Sequence, residues 1–454
     1  MYDVIVIGGG PAGSTVATET AKKGSKVLVI EKEKFPRPHV GESLLPFNNE
    51  IFHQLGVYDE LCKRFVRKPG VKFIASNGEV SKTYCFKNVL KDQEFRTFNV
   101  NRAQFDQVLL NNSAKHGAEV WEEHRVLKVE NLDTDLPVKV KVKTPEGEKV
   151  TVEGKFLIDA SGQDSFLGRT QKWKEPVPGL DRSAFATHWK NVTWDRELNE
   201  GTIQIFYTGG EKKGWVWLVP LGQNKVGIGV VLDNTYIQKQ REKFAAQGIE
   251  NWQMALYEQE IQETPHLCDL AKNGEQINTL QVVTNYSFTV SRKYGRNFAL
   301  TGDAGAFLDP IFATGIYLGA KTSMLIAQSL NEHLSGERDE LMNALEKRFE
   351  VVMTAYSLIH KFIDIFYDPD GFNLAGEGDK EKKRETAFSL MHYLLAGDFF
   401  DNANTYLNFL NVLSDPKKFA KYEALTKFTR GEHDNSSCLH EGLPLASEME
   451  LMME

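Results

Sequence analysis

At 454 residues the chain is long enough for two or three structural units around a sizeable core. Hydrophobic residues make up 41% and charged residues 26%, an ordinary globular mixture, and the net charge of -8 argues against a nucleic-acid binder, which would carry a basic patch or stripe. No apolar run approaches a membrane span, and a strand-like run beginning at Tyr2 leaves no room for a signal peptide, so a soluble, cytoplasmic protein is expected.

The first 37 residues read as strand, tight turn, helix, strand. Val4 to Ile7 is continuously apolar, as in a strand buried on both faces, and Gly8, Gly10 and Gly13 follow it as G-x-G-x-x-G. The first glycine permits the turn, the second admits a pyrophosphate, and the third lets helix pack on strand. "KVLVIE" is a second buried strand, and Glu31 at its end has the spacing of the acid that binds ribose hydroxyls. Ala12 inside the motif and Lys32 beside the acid are further expected cofactor contacts. Only one such fingerprint occurs, so one tightly held dinucleotide is expected rather than two.

Further along, "KFLIDASGQDS" is a strand ending in a small-residue turn, and "RNFALTGDAGAFLDPIFATG" runs from a strand through Gly302 and Asp303 towards a helix. An acid at a strand end beside a helix N-terminus suits a ribityl hydroxyl, and the helix end favours the negative charge of a reduced flavin. With "VNRAQFDQVLL", these segments resemble the FAD-binding fold of the aromatic hydroxylases. That resemblance implies Asp303 as ribityl contact and Arg102 as a flavin-side contact.

The expected organisation is α/β. A Rossmann-like FAD-binding domain occupies 1–335 discontinuously (roughly 1–70, 100–170 and 280–335). A mostly antiparallel sheet is inserted at about 71–99 and 171–279, and a C-terminal helical region with a loose tail fills 336–454. Within 180–235, "GTIQIFYTGG", "GWVWLVPLG" and "KVGIGVVLD" are strands bounded by glycines and charged turns. Trp215 and Trp217 fall on one face of their strand and Val216 on the other, a broad indole wall unless the strand is simply an aromatic core element. From about Gly336 apolar residues recur three and four apart, the helical spacing. Cys62, Cys85, Cys268 and Cys438 are scattered without C-x-x-C spacing, so neither a disulfide framework nor a zinc cluster is expected. His433, Cys438 and His440 lie close together, but a polar tail is the plainer reading, and no metal is expected.

Four stretches taken together, "FPRPHVGESLLPFN", "FVRKPGVKF", "WVWLVP" and "FLDPIFATG", resemble the FAD-dependent halogenases. The W-x-W-x-I-P motif of that family is matched by Trp215, Trp217 and Pro220, with Val219 where isoleucine is usual. G-E-S-x-x-P is matched by Gly41, Glu42, Ser43 and Pro46, and K-x-G-x-x-F by Lys68, Gly70 and Phe73. The resemblance covers residue 1 to about 370. It implies FAD used in its reduced form, delivered by a separate flavin reductase, with chloride or bromide as co-substrate. It implies halide at Thr314 and Gly315, cofactor contacts at Glu42 and Ser43, and hypohalous acid passing beside Trp215 and Trp217 to Lys68.

At Lys68 the ammonium could hydrogen-bond the hypohalous acid, or the amine could form a haloamine; burial would lower the pKa and favour the second. Lys72 is the rival, with solvent exposure as its expected role. Two departures stand out. Ala313 occupies a position where many members have serine, and the stretch from Pro46 to Lys68 is short, which places the chain nearer the halogenases of phenols and pyrroles than those of tryptophan. The expected substrate is an electron-rich aromatic, free or carrier-tethered. An aromatic hydroxylase, a reductase of prenyl double bonds and a non-catalytic flavin-binding protein are the alternatives. The paired tryptophans speak against the first, and the last leaves the motif set unexplained.

Overall fold

The computed structural model describes residues 1–90, 95–222, 224–368, 374–375, 391–413, 436–440 and 442–446. Strand Tyr2–Ile7 forms the centre of the first sheet because its Val-Ile run finds apolar cover on both faces. It pairs in parallel with Val27–Ile30 on one side and with Lys149–Asp159 on the other. Glu119–Trp121 and Phe298–Leu300 extend the parallel set outward on either flank. The helix Pro11–Ala21 follows the glycine motif, and the 19-residue helix Gly315–His333 lies beside it. The Ser323 hydroxyl donates to the Ala12 carbonyl at 2.8 Å, joining the two helices.

The second sheet is antiparallel through most of its width. Arg182–Lys190, Lys225–Asp233, Trp215–Gly222 and Ile203–Tyr207 are successive neighbours. Gly70–Ile74 then joins Ile203–Tyr207 in parallel, and Ser81–Cys85 pairs antiparallel with Gly70–Ile74. Both faces are covered. Val216 and Leu218 pack outward with Leu256, Tyr257 and Ile261 of the helix Trp252–Glu263. Trp215, Trp217 and Val219 turn inward to the largest core cluster, which also holds Leu44, Phe73 and Phe312. The two indoles therefore share one face, as the period-two pleat requires.

The C-terminal region contributes the 30-residue helix Arg338–Tyr367 and the helix Ala403–Leu413. Two expectations need correction here. Cys85 and Cys438 form a disulfide across 353 residues of sequence, a pairing that no local spacing announces. The tail is also not loose throughout. Cys438 N–H donates to Glu200 Oε2 at 2.9 Å, Ala446 N–H donates to the Asn199 carbonyl at 2.6 Å, and both residues are buried. His433, considered with Cys438 and His440 for a metal, lies outside the described residues.

Candidate active site

The glycine motif builds an anion cradle. A Cβ on Gly13 would lie 1.9 Å from the Gly8 carbonyl oxygen, so only glycine lets the helix start so close to the strand. A Cβ on Gly10 would meet nothing nearer than an Arg37 guanidinium nitrogen at 3.5 Å, which leaves that backbone face open to a ligand. The helix Pro11–Ala21 carries no acid in its first turn and no side-chain cap, so its leading N–H groups remain available to a phosphate. Ala12 packs its methyl against Gly302 and Gly319 and so takes a structural place beside the cradle.

Glu31 is buried at the strand end, where Oε2 accepts from Gly9 N–H at 2.7 Å and Oε1 from Glu33 N–H at 2.9 Å. Each oxygen keeps a lone pair for a ribose hydroxyl. Lys32 is exposed and ion-paired with Asp164.

Arg102 is buried and grips Asp106 through Nε and Nη2 at 2.8 and 2.9 Å, while Nη1 donates to the Val40 carbonyl at 2.7 Å. Burial opposes its charge, but Asp106, with Asp303 and Glu42, outweighs burial and holds the guanidinium above its ordinary value. Asp303 accepts from Gln163 Nε2 at 3.2 Å; burial pushes its carboxyl up, against the pull of that bond and of Arg102. A small cavity brings Asp303 together with Phe307, Asp309, Thr314, Gly315 and Tyr356. The open cradle, the strand-end Glu31 and the buried Asp303 fit FAD. A larger polar groove, lined by Glu60, Arg64, Gln104 and Lys115 among others, contains none of the motif residues.

The Gly41–Pro46 stretch links this region to Lys68. At one end its backbone is held by Arg102 through the Val40 and Gly41 carbonyls. Further on, the Leu44 carbonyl accepts from Lys68 Nζ at 2.8 Å. Lys68 is 1% exposed, and the ring of Phe86 lies 5.4 Å from Nζ. Among the described residues no carboxylate pairs with it. Burial alone pushes its ammonium down to about 7. Thr97 stands opposite Lys68 in the ladder, and Ser43 bridges Asn99 two residues on. The Ser43 and Thr97 hydroxyls are buried and lack a hydrogen-bond partner among the described residues. Sealed polar atoms of this kind call for a small polar guest or water.

Glu42 meets His188 Nε2 at 2.5 Å, while His188 Nδ1 accepts from Asn278 at 2.7 Å. The motif acid thus reaches the antiparallel sheet. Sequence reasoning missed His188, as well as Gly227 and Gly229. A Cβ on Gly227 would lie 2.1 Å from Glu42 Oε2, and one on Gly229 would lie 2.0 Å from Trp217 Cζ2. The signal was present in "KVGIGVVLD", because alternate glycines inside a strand mark close approach on one face.

Lys72 also departs from expectation. It is not exposed to solvent but paired with Glu197 at 3.2 Å, and its side chain is only 15% accessible.

The family model for the FAD binding domain matches residues 1–355. A tryptophan 2-halogenase of Chondromyces crocatus is 33% identical over 341 residues, which cover 74% of this chain but 62% of that relative, under two thirds of its length. The 1H-pyrrole-2-carbonyl-(peptidyl-carrier protein) brominase of Pseudoalteromonas luteoviolacea (strain 2ta16) is 31% identical over 338 residues, 74% of this chain and 78% of that protein. Among solved structures, the flavin-dependent brominase Bmp2 superposes with a TM-score of 0.76 at 25% identity, covering 94% of this chain and 100% of the other.

Proposed function

The chain belongs to the flavin-dependent halogenases, and we propose that within this family it halogenates an electron-rich ring of phenol, pyrrole or indole type through Lys68. The observation that carries this reading is a lysine sealed from solvent, without a carboxylate partner among the described residues and with a pKa near neutrality. A structural lysine has no use for that arrangement, because burying an unpaired ammonium is costly.

FAD, delivered in reduced form by a separate reductase, supplies the electrons that with oxygen and halide yield hypohalous acid. The chain's own residues do the rest. The helix Gly315–His333 has no acid in its first turn and no side-chain cap, so the backbone at Thr314 and Gly315 can hold the halide. With Ala313 in place of a serine, the donors left at this turn are the backbone N–H groups and the Thr314 hydroxyl. The indoles of Trp215 and Trp217, 5.4 Å apart by ring centroids, form a wall that keeps the aromatic substrate from the flavin and leaves passage for hypohalous acid. The neutral Lys68 amine forms a nitrogen–halogen bond and releases water. The ring carbon then takes the halogen, and the proton it loses returns to the amine. Ser43 and Thr97, whose hydroxyls lack a hydrogen-bond partner among the described residues, would bind the arriving acid. The names of relatives that act on pyrrolyl carrier proteins support a pyrrole, free or carrier-tethered, as a substrate worth testing first.

The test is purified protein with FAD, a flavin reductase, bromide or chloride, and phenols, pyrroles and indoles, read by mass spectrometry for halogen isotope patterns. Halogenated product that depends on the reductase is expected, with NAD(P)H alone reducing the flavin slowly. Rapid direct reduction by NADPH, stimulated by an aromatic and followed by hydroxylated product, would identify a hydroxylase instead.

A further inference from the structure

Asp309 opens the turn Pro310–Phe312 that leads into Thr314 and Gly315. It is 2% exposed, yet its carboxylate is well satisfied. Oδ1 accepts from Ile311 N–H at 3.1 Å and caps the turn. Oδ2 accepts from the Tyr286 hydroxyl at 3.0 Å and from the Tyr367 hydroxyl at 2.9 Å. The direction of the second bond is fixed by its neighbour. Trp215 Nε1–H is a donor only, and it donates to Tyr367 Oη at 3.0 Å, so the Tyr367 proton must go to Asp309. The Arg182 guanidinium lies 3.5 Å over the Tyr367 ring and is itself anchored to the Gly179 and Lys213 carbonyls.

We propose that Asp309 is a positioning residue, joined through Tyr367 to Trp215, that sets the backbone of the halide loop. This rests on the reading that Thr314 and Gly315 hold halide. Two further observations favour it. Ala313 sits at φ 54°, in the left-handed region that an alanine adopts only when its surroundings impose it. The surroundings here are the Asp309 cap on one side and, on the other, Phe312 stacked on Phe362 at 3.9 Å and 10°. Tyr367 and Phe362 both belong to the helix Arg338–Tyr367, so the C-terminal region supplies the clamp on a loop from the FAD-binding part. Asp309 and the loop also line the same small cavity. One chain of hydrogen bonds thereby fixes the indole face and the halide loop relative to each other.

The experiment uses the FAD-loaded enzyme with reductase and measures KM for bromide and for the aromatic substrate separately, with kcat and flavin content. Tyr367→Phe deletes the donor to Asp309 and the acceptor for Trp215. It is expected to raise the bromide KM on the order of tenfold, the effect of one lost buried hydrogen bond to a charged group, with the aromatic KM unchanged within about twofold. Tyr286→Phe, which spares the link to Trp215, should raise it less. Asp309→Asn should retain more halide affinity than Asp309→Ala; should Asp309→Ala not fold, Tyr367→Phe and Tyr286→Phe still decide. Gly315→Ala serves as the control for the underlying reading, since the added methyl meets Phe307 at an ordinary 3.5 Å. If Gly315→Ala raises the bromide KM and Tyr367→Phe does not, the inference falls and the halide site stands. If neither moves it, both fall. Equal rises in both KM values, or lost flavin, would mean ordinary packing and would likewise overturn the positioning role.

Discussion

Lys68 ends the short strand Val66–Lys68, and Lys72 sits in the middle of the next, Gly70–Ile74. Three residues separate them, and their electrostatic settings are opposite. Lys72 alternates with Val71 and Phe73, which join the inward cluster with the tryptophans, so the pleat turns it to the outer face. There its ladder partner is Gln204, whose own partner across the sheet is Leu218, and Glu197 neutralises it. Lys68 belongs to a different, two-stranded ladder, and its ammonium donates to the Leu44 carbonyl, a neutral acceptor. The same residue type is therefore a half-buried ion pair in one place and a near-neutral amine in the other. What separates them is the number of opposing charges within reach after burial, not their position in a motif.

The largest effect is expected at the tryptophan face. Trp215→Ala and Trp217→Ala should each cost about 3–5 kcal/mol, so flavin content and thermal melting must be read before activity. In a folded double variant weaker halogenation is expected, with traces of hydroxylated product as substrate gains access to the flavin. Parental halogenation there would reduce both indoles to core packing.

Lys68→Met should lower halogenated product roughly 10²–10⁴-fold while flavin binding and oxygen consumption persist. Regioselective halogenation at near-normal rate in that variant would remove the assignment. If the amine is the working form, the rate in the parent enzyme rises with pH through about 7 and then levels. A falling limb at that pH would instead identify the ammonium. Between about 7 and the ordinary 10.5 the unfolded lysine holds a proton that the folded one has released, so parental stability gains with pH in that window and Lys68→Met loses the gain.

Behind both strands stands the disulfide. A Cβ on Gly70, midway between the lysines, would lie 2.8 Å from Cys438 Sγ, and Cys85 faces Gly70 across the ladder. Cys438→Ser should destabilise by about 2–4 kcal/mol in chemical denaturation, and the parent should lose a similar amount on reduction. Equal midpoints with and without reductant would show that the bond contributes nothing. The smallest effect belongs to Lys72→Met. Its ion pair touches no reacting group in this reading, so turnover should change by less than about twofold. Loss on the scale of Lys68 would invert the comparison.

The local chemistry was legible in the chain. A continuous apolar strand followed by Gly8, Gly10 and Gly13 announces its turn because the steric demand falls on neighbouring residues, and alternation puts Trp215 and Trp217 on one face because the pleat has period two. Lys68 was also legible as a motif residue, but its burial was not, since nothing near it in sequence says that the Leu44 carbonyl and the Phe86 ring will enclose it. The exposure expected for Lys72 failed because Glu197 arrives from a distant helix. The Cys85–Cys438 bond and the chain from Trp215 through Tyr367 to Asp309 likewise join segments that only folding brings together. Periodicity and backbone sterics act over a few residues and can be read in order. Desolvation and hydrogen-bond pairing depend on what comes to lie alongside in space, and that was decided by the tertiary structure.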